Sequence, residues 1–335
     1  VYNWSDYIAE DTIEKFEATT GIKVNYDVFD TNELLEAKLL AGSSGYDVVV
    51  PTGNFLERQI QAGVFRPLDA SKLPNLSNMD PEITRIVAQH DPENKHAVVY
   101  MWGTTGLAYD VAKIEARMPD APVDSWDMIF DPAVISKFAD CGVAILESPS
   151  DILATAKHYL GIDPASESAD DLAKAEDLLM RIRPHVHYFH ASQYINDLAN
   201  GDICMAVGYS GDLLQARDRA AEANNGVEVA YVIPEEGGVV WFDLMAIPAD
   251  AKNVDEAHQF INFVMDAQIA ADITNYVFYA NANAASTALI DPEVTSDPGI
   301  YPSESVKAGL FALRAHSPRY DRIMNRTWTR IKTGR

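Results

Sequence analysis

Residues Gly21–Pro51, GIKVNYDVFDTNELLEAKLLAGSSGYDVVVP, decide how the chain is read. IKVNYDVF has the β-branched and aromatic content of a strand and ends in polar residues. TNELLEAKLLAG predicts a helix with Gly42 as its stop, and YDVVVP predicts an apolar strand closed by Pro51. Ahead of them, VYNW reads as a short strand and a helical pattern runs from about Glu10 to Thr20. The order is β-α-β-α-β, which implies a parallel sheet with helices on its faces. Ligands of such sheets bind beyond the carboxyl ends of the strands, where WSDY (Trp4–Tyr7) and the PTGNF turn (Pro51–Phe55) both fall. These two stretches are expected to be neighbours.

Farther on, MWGTTGLAYD reads as an extended crossing segment into a second αβ region. That region holds CGVAIL, helices rich in Ala and Leu, and CMAVG. GVEVAYVIP and GGVVWFDLMAIP are predicted strands, and an amphipathic helix is expected from about Val254 to Met265, where the chain crosses back. There is no internal repeat and no low-complexity segment.

The 335 residues suffice for two domains, and 47% hydrophobic content suits a core-forming chain rather than disorder. No apolar run approaches the ~18–20 residues needed to span a bilayer, so the chain is expected to be soluble. Val1 in place of Met fits a chain whose leader has been cleaved. Fifty acidic against 26 basic residues give a formal charge of −24, which disfavours nucleic acid and anionic membrane and would attract a small cation. Cys141 and Cys204, the two cysteines, are too few and too far apart for a zinc ribbon. They are two buried thiols or one disulfide, and export would favour the disulfide.

Four short stretches place aromatic rings within a few residues of carboxylates or hydroxyls: WSDY, GYSGD (Gly208–Asp212), WFD (Trp241–Asp243) and, without the acid, FYANAN (Phe278–Asn283). Each alone fits core plus helix cap; Asp212, for instance, could be a first-turn acid favoured by the helix dipole, with Ser210 as cap. Together they present several rings and acids with no Lys or Arg inside the motifs. A buried carboxylate without a cationic partner costs several kcal/mol, so these acids are exposed or their partner is a ligand. An alkylammonium group suits them, through charge-assisted hydrogen bonds to the acids and cation–π attraction to the rings. HVHYFH, with His185, His187 and His190, lacks further ligands at metal spacing and reads as a surface loop after Pro184. GxSxG, HExxH and GxxxxGK[ST] are all missing, so enzyme readings are weak.

YNWSDYIA, TGIKVNYDVFD, DVVVP with FLERQ, YMWGTTGLAYD, APVDSWD, YFHASQYINDLANGDICMAVG and VFYANAN follow one another across nearly the whole chain. In these segments the sequence resembles the periplasmic polyamine-binding components of ABC transporters, the putrescine-binding ones above all. The resemblance implies an α/β, two-lobed type II periplasmic binding protein fold, each lobe a mixed sheet flanked by helices, with ligand in the interlobe cleft. Lobe one would comprise residues 1–104 and 240–286, and lobe two residues 105–239 and 287–335. It also implies a Cys141–Cys204 disulfide, no cofactor and no metal. The protein would be a periplasmic monomer that hands its ligand to permease subunits in the inner membrane.

Carried over by position, the family's aromatic box falls on Trp4, Tyr7, Tyr209, Trp241 and Tyr279. Its ammonium-binding groups fall on Ser5, Asp6, Asp151, Asp212 and Asp243, with Thr52 and Asn54 in the lobe-one turn. Tyr209 stands where the putrescine-binding pattern has Trp, Trp241 where it has Phe, and Asp151 where it has Glu. The expected function is capture of putrescine, with spermidine close. A spermidine-preferring binder is the alternative, ahead of a polyamine-acting hydrolase, which would need a metal or nucleophile cluster. An iron or sulfate binder of the same fold is disfavoured, because anion sites want Arg and helix N-termini and iron sites want paired Tyr or His.

Overall fold

The alternating strands and helices at the start of the chain are present in the computed structural model, which describes residues 1–334. Ten strands occur among the described residues: β1 (Tyr2–Trp4), β2 (Asp27–Phe29), β3 (Ala97–Asp110), β4 (Val143–Leu146), β5 (Tyr188–His190), β6 (Met205–Tyr209), β7 (Val229–Val232), β8 (Val239–Ala246), β9 (Ala280–Asn281) and β10 (Phe311–Ala312). The chain divides into two units, Val1–Gly103 with Trp241–Tyr301, and Thr104–Val240 with Pro302–Arg335.

In the first unit β1 and β2 pair in parallel, Tyr2 opposite Asp27 and Trp4 opposite Phe29. Helices Thr12–Thr20, Asn32–Leu40 and Gly53–Gln61 follow the three predicted extended segments. Thr31 caps the second of these through its side chain, and the chain leaves it through Gly42 at φ +71°, which glycine adopts without a Cβ clash. YDVVVP differs from expectation. Val49 makes a parallel bridge to Tyr2 and an antiparallel one to Ala246, but no continuous strand forms. Pro51 has no amide hydrogen to extend the ladder; its carbonyl accepts from the Leu244 N–H at 3.0 Å. Val48, Val49 and Val50 are buried nonetheless, so the apolar run serves the core as predicted. Phe16 anchors one helix here, meeting Phe260 and Phe263 edge-on at 5.2 and 5.3 Å.

The expected boundary at residue 287 is corrected: residues 287–301 stay with the first unit. Ile290, Val294 and Ile300 are buried, the Asp291 N–H bonds the Asn275 side chain at 2.9 Å, and Tyr301 meets Trp102 edge-on at 6.4 Å.

The second unit is a mixed sheet. β4 is parallel to β5 and to β6, whereas β6 and β7 both run antiparallel to β3. β10 pairs in parallel with the first residues of β8. Trp126, Phe130 and Phe138 are fully buried in its core, and the Trp126 indole N–H donates to the Gly237 carbonyl at 2.8 Å. Cys141 and Cys204 form a disulfide across a Cα–Cα distance of 5.5 Å. The HVHYFH loop is a second correction. Tyr188–His190 is strand β5, in register with Ala144–Leu146, because the His187 N–H bonds Val143 O at 2.8 Å and draws the segment onto the sheet. His190 then accepts from the Ser192 and Gln193 amides through Nδ1, opening the helix Tyr194–Asn200. Among the described residues no three His, Cys, Asp or Glu side chains could hold a metal ion. No described helix is long and apolar enough to cross a membrane.

Candidate functional site

In the first unit the site grows around Asp243. β8 carries this residue opposite Thr52, which immediately precedes the helix Gly53–Gln61. The Thr52 hydroxyl donates to Asp243 Oδ1 at 2.6 Å, and the Tyr7 hydroxyl donates to Oδ2 at 2.9 Å. Thr52 is itself fixed by Asn32, whose side chain donates to its Oγ1 at 2.8 Å and accepts its N–H at 3.1 Å. Asp243 is only 4% exposed. Donation from two hydroxyls fixes the plane of the carboxylate.

Rings surround this acid in edge-to-face contacts: Tyr7 with Tyr279 at 4.9 Å, Tyr7 with Tyr100 at 5.2 Å, and Trp241 with Tyr279 at 5.3 Å. Edge-to-face packing turns one ring's electron-rich face toward its neighbour's edge and holds each in a single orientation. The Tyr100 hydroxyl bonds the Tyr7 carbonyl at 2.5 Å, locking the backbone that presents Tyr7. Burial holds the Tyr100 hydroxyl well above the ordinary tyrosine range, so it is a permanent donor. Phe278 closes the helix Ala267–Val277 in the left-handed conformation, φ +57°, and Tyr279 follows it into β9's approach.

Trp4 ends β1, with its indole N–H on Val50 O at 2.9 Å and its ring tilted on Phe29 at 4.6 Å. WSDY and the segment leading into PTGNF are thus neighbours, as predicted. Ser5 instead donates to Asp30 at 2.9 Å. Asp6 is exposed in a left-handed turn at φ +53°. Asn54 is buried, and its Oδ1 accepts no hydrogen bond among the described residues.

In the second unit Asp151, Tyr209 and Asp212 sit at strand and helix ends. Asp151 occupies the first turn of the helix Pro149–Tyr159, 5% exposed, and accepts from Thr105 at 2.8 Å and Ser148 at 2.6 Å. Ser148 is also the cap of that helix. Burial raises the Asp151 pKa, and the Ser148 and Thr105 hydroxyls offset only part of the rise. Tyr209 ends β6 opposite Thr105, the β3 residue whose hydroxyl also bonds Asp151. Asp212 lies in the first turn of the helix Ser210–Ala223, where the Tyr194 hydroxyl donates to its Oδ2 at 2.7 Å. The N-terminal end of a helix dipole favours both carboxylates. Gly208 makes this contact possible, because a Cβ there would come within 2.6 Å of the Tyr194 ring.

The sequence reading missed Asn32, Tyr100, Thr105, Ser148 and Tyr194. Ser148 had a signal: a serine three residues before Asp151 is the spacing of a capping box. The others meet their partners only through folding. FYANAN proves mostly structural beyond Tyr279, since Asn281 bonds Thr274 at 2.9 Å and Asn283 bonds the Met265 carbonyl at 2.8 Å.

Comparison with known proteins bears on what these groups do. The profile of the bacterial extracellular solute-binding protein family matches residues 11–302. The chain is 56% identical to the putrescine-binding periplasmic protein PotF of Escherichia coli K12, covering all of this chain and 91% of the relative. It is 53% identical to the putrescine-binding periplasmic protein SpuD of Pseudomonas aeruginosa, covering 100% and 92%. A structure from Listeria monocytogenes assigned to a spermidine/putrescine ABC transporter superposes with a TM-score of 0.89 at 32% identity, over 100% of this chain and 98% of that one. The fold is therefore the α/β type II periplasmic binding protein fold. These relatives are substrate-binding proteins of transport systems. On the extent of the profile match and on identity over its whole length, the chain belongs to the bacterial extracellular solute-binding proteins.

Proposed function

We propose that this protein binds polyamines in the periplasm, putrescine first and spermidine close behind, and delivers them to an ABC permease in the inner membrane. The observation that carries this reading is Asp243, a buried carboxylate clasped by two hydroxyls and bordered by Tyr7, Trp241 and Tyr279. A carboxylate so held suits an ammonium through charge-assisted hydrogen bonds, and the rings favour the cation and its methylene chain. Asn54 Oδ1 is a buried acceptor that an ammonium N–H would satisfy. Asp151 and Asp212 supply anionic groups for a second amine, and Trp4 and Tyr209 supply further rings. Ser5 and Asp6 belong to the same ligand set by resemblance. Putrescine-binding relatives support the diamine.

The protein acts as a monomeric binder rather than an enzyme, with no nucleic-acid partner. Calorimetric titration with putrescine, cadaverine, spermidine and spermine tests the reading, and failure of all four to bind would overturn it. Incubation with putrescine and assay for a new product tests the hydrolase alternative. Trp241 favours a spermidine-preferring reading, since its face is broader than that of Phe. Under that reading, Trp241→Phe weakens spermidine selectively; an unchanged ratio of the two affinities rules it out.

A further inference from the structure

The strongest charge feature that the binding function leaves unused is the last helix, Pro318–Thr333. Residues 314–335 contain seven of the chain's 26 basic residues and one of its 50 acidic ones, a local excess of six positive charges in a chain of net −24. One side of this helix is committed to the second unit's core through Tyr320, Met324, Trp328 and Ile331, all buried. The opposite side exposes Arg319, Arg322 and Arg326. Spaced i, i+3 and i+7, they form one stripe about 10 Å long at the helical rise. Arg330 is engaged by Glu176 at 2.6 Å. Arg319, Arg322 and Arg326 make no ion pair or hydrogen bond among the described residues.

We infer that this arginine stripe is a docking surface for an acidic segment on the periplasmic face of the permease. The inference rests on the transport reading above and adds the location and chemistry of the contact. Guanidinium forks match carboxylates in pairs, and a repeating stripe of them selects an extended or helical acidic segment over a single anion. A bilayer is a poorer occupant. The helix's apolar side is already used in the core, leaving Ile323, 36% exposed, as its one exposed large hydrophobic side chain. A second copy is disfavoured by the mutual repulsion of two chains of net −24.

The test uses the full chain with its cognate permease in phosphatidylcholine nanodiscs, reading putrescine-stimulated ATP hydrolysis against binding-protein concentration. Arg319→Glu, Arg322→Glu and Arg326→Glu combined are expected to raise the half-saturating concentration about tenfold or more, with the putrescine affinity measured by calorimetry unchanged. The three Arg→Lys changes together should cost about threefold, since charge remains and the forks are lost. Arg322→Glu alone, on an exposed position, serves if the triple variant fails to fold. Direct capture of the protein by the nanodiscs reads docking even if putrescine proves not to be the ligand. Half-saturation within about twofold of the unmodified protein overturns the inference. So does arginine-dependent flotation with phosphatidylglycerol vesicles, which would make lipid the occupant, or an arginine-dependent dimer in sedimentation, which would make it a second copy.

Discussion

The two units secure their carboxylates in different ways. In the first, Asp243 depends on Tyr7 and Thr52, residues 236 and 191 positions away in sequence, and on the rings around them. In the second, Asp151 and Asp212 ride in the first turns of helices, and one support of Asp151, Ser148, lies three residues earlier. An acid placed by tertiary contacts is as rigid as the sheet that carries it. An acid placed by a helix end is positioned locally, but it inherits the stability of the unit that holds the helix. That unit also has the disulfide.

The largest expected effect comes from removing that cross-link. Cys141→Ser with Cys204→Ser opens a loop of sequence separation 63 and should cost about 4 kcal/mol in the chain-entropy account. Hydrogen exchange should then show amides of β4 and β6 losing protection before those of β1 and β2. Equal loss in both units would mean that they unfold as one and that the contrast in stability is not real.

Next in size are the acids themselves. Asp243→Asn and Asp212→Asn should each weaken putrescine binding by about 2 kcal/mol or more, since each removes a charge from a buried position. Calorimetry decides it, and unchanged affinity in both variants would remove them from the site. A smaller effect separates the two modes of support. Tyr7→Phe and Tyr194→Phe each delete one hydroxyl donor to a carboxylate and should cost about 1 kcal/mol of affinity. A loss in Tyr7→Phe with none in Tyr194→Phe would show that the helix end alone suffices to hold Asp212.

The smallest effect is a pH dependence. Burial raises the Asp151 pKa in the folded state, so folding favours its protonated form. Its contribution is fully present below the unfolded carboxylate pKa of about 4 and is lost as pH rises through the folded value. Above that folded value the carboxylate is ionised and buried, and there Asp151→Asn should melt slightly higher than the unmodified protein. That gap should close as pH falls toward 4. Melting curves across this range check the sign, and a gap that widens on acidification would contradict burial as the dominant cause.

Much of this molecule is legible along the chain because its signals are local. The alternation of apolar strands and amphipathic helices gives the β-α-β order, and Gly42 marks a helix exit by its freedom at positive φ. The pairing of rings with acids at Trp4–Tyr7, Gly208–Asp212 and Trp241–Asp243 is also readable along the chain, although WFD lies inside β8 rather than at a strand end. Tertiary structure alone decided the rest. YDVVVP is apolar enough for a strand, yet only Val49 completes its bridges, because hydrogen-bond partners from β1 and β8 meet it one at a time. HVHYFH became β5 through a sheet edge 44 residues upstream that no local pattern announces. Residues 287–301 joined the first unit because Ile290, Val294 and Ile300 found a core there. Asn32, Tyr100 and Tyr194 are ordinary residues in their own neighbourhoods, and they serve the site only because folding brings a threonine, a carbonyl and a carboxylate within hydrogen-bond distance. Side-chain type and spacing are written in the chain, whereas a hydrogen bond depends on the final positions of two groups, and across long sequence separations those positions exist only once both have been packed.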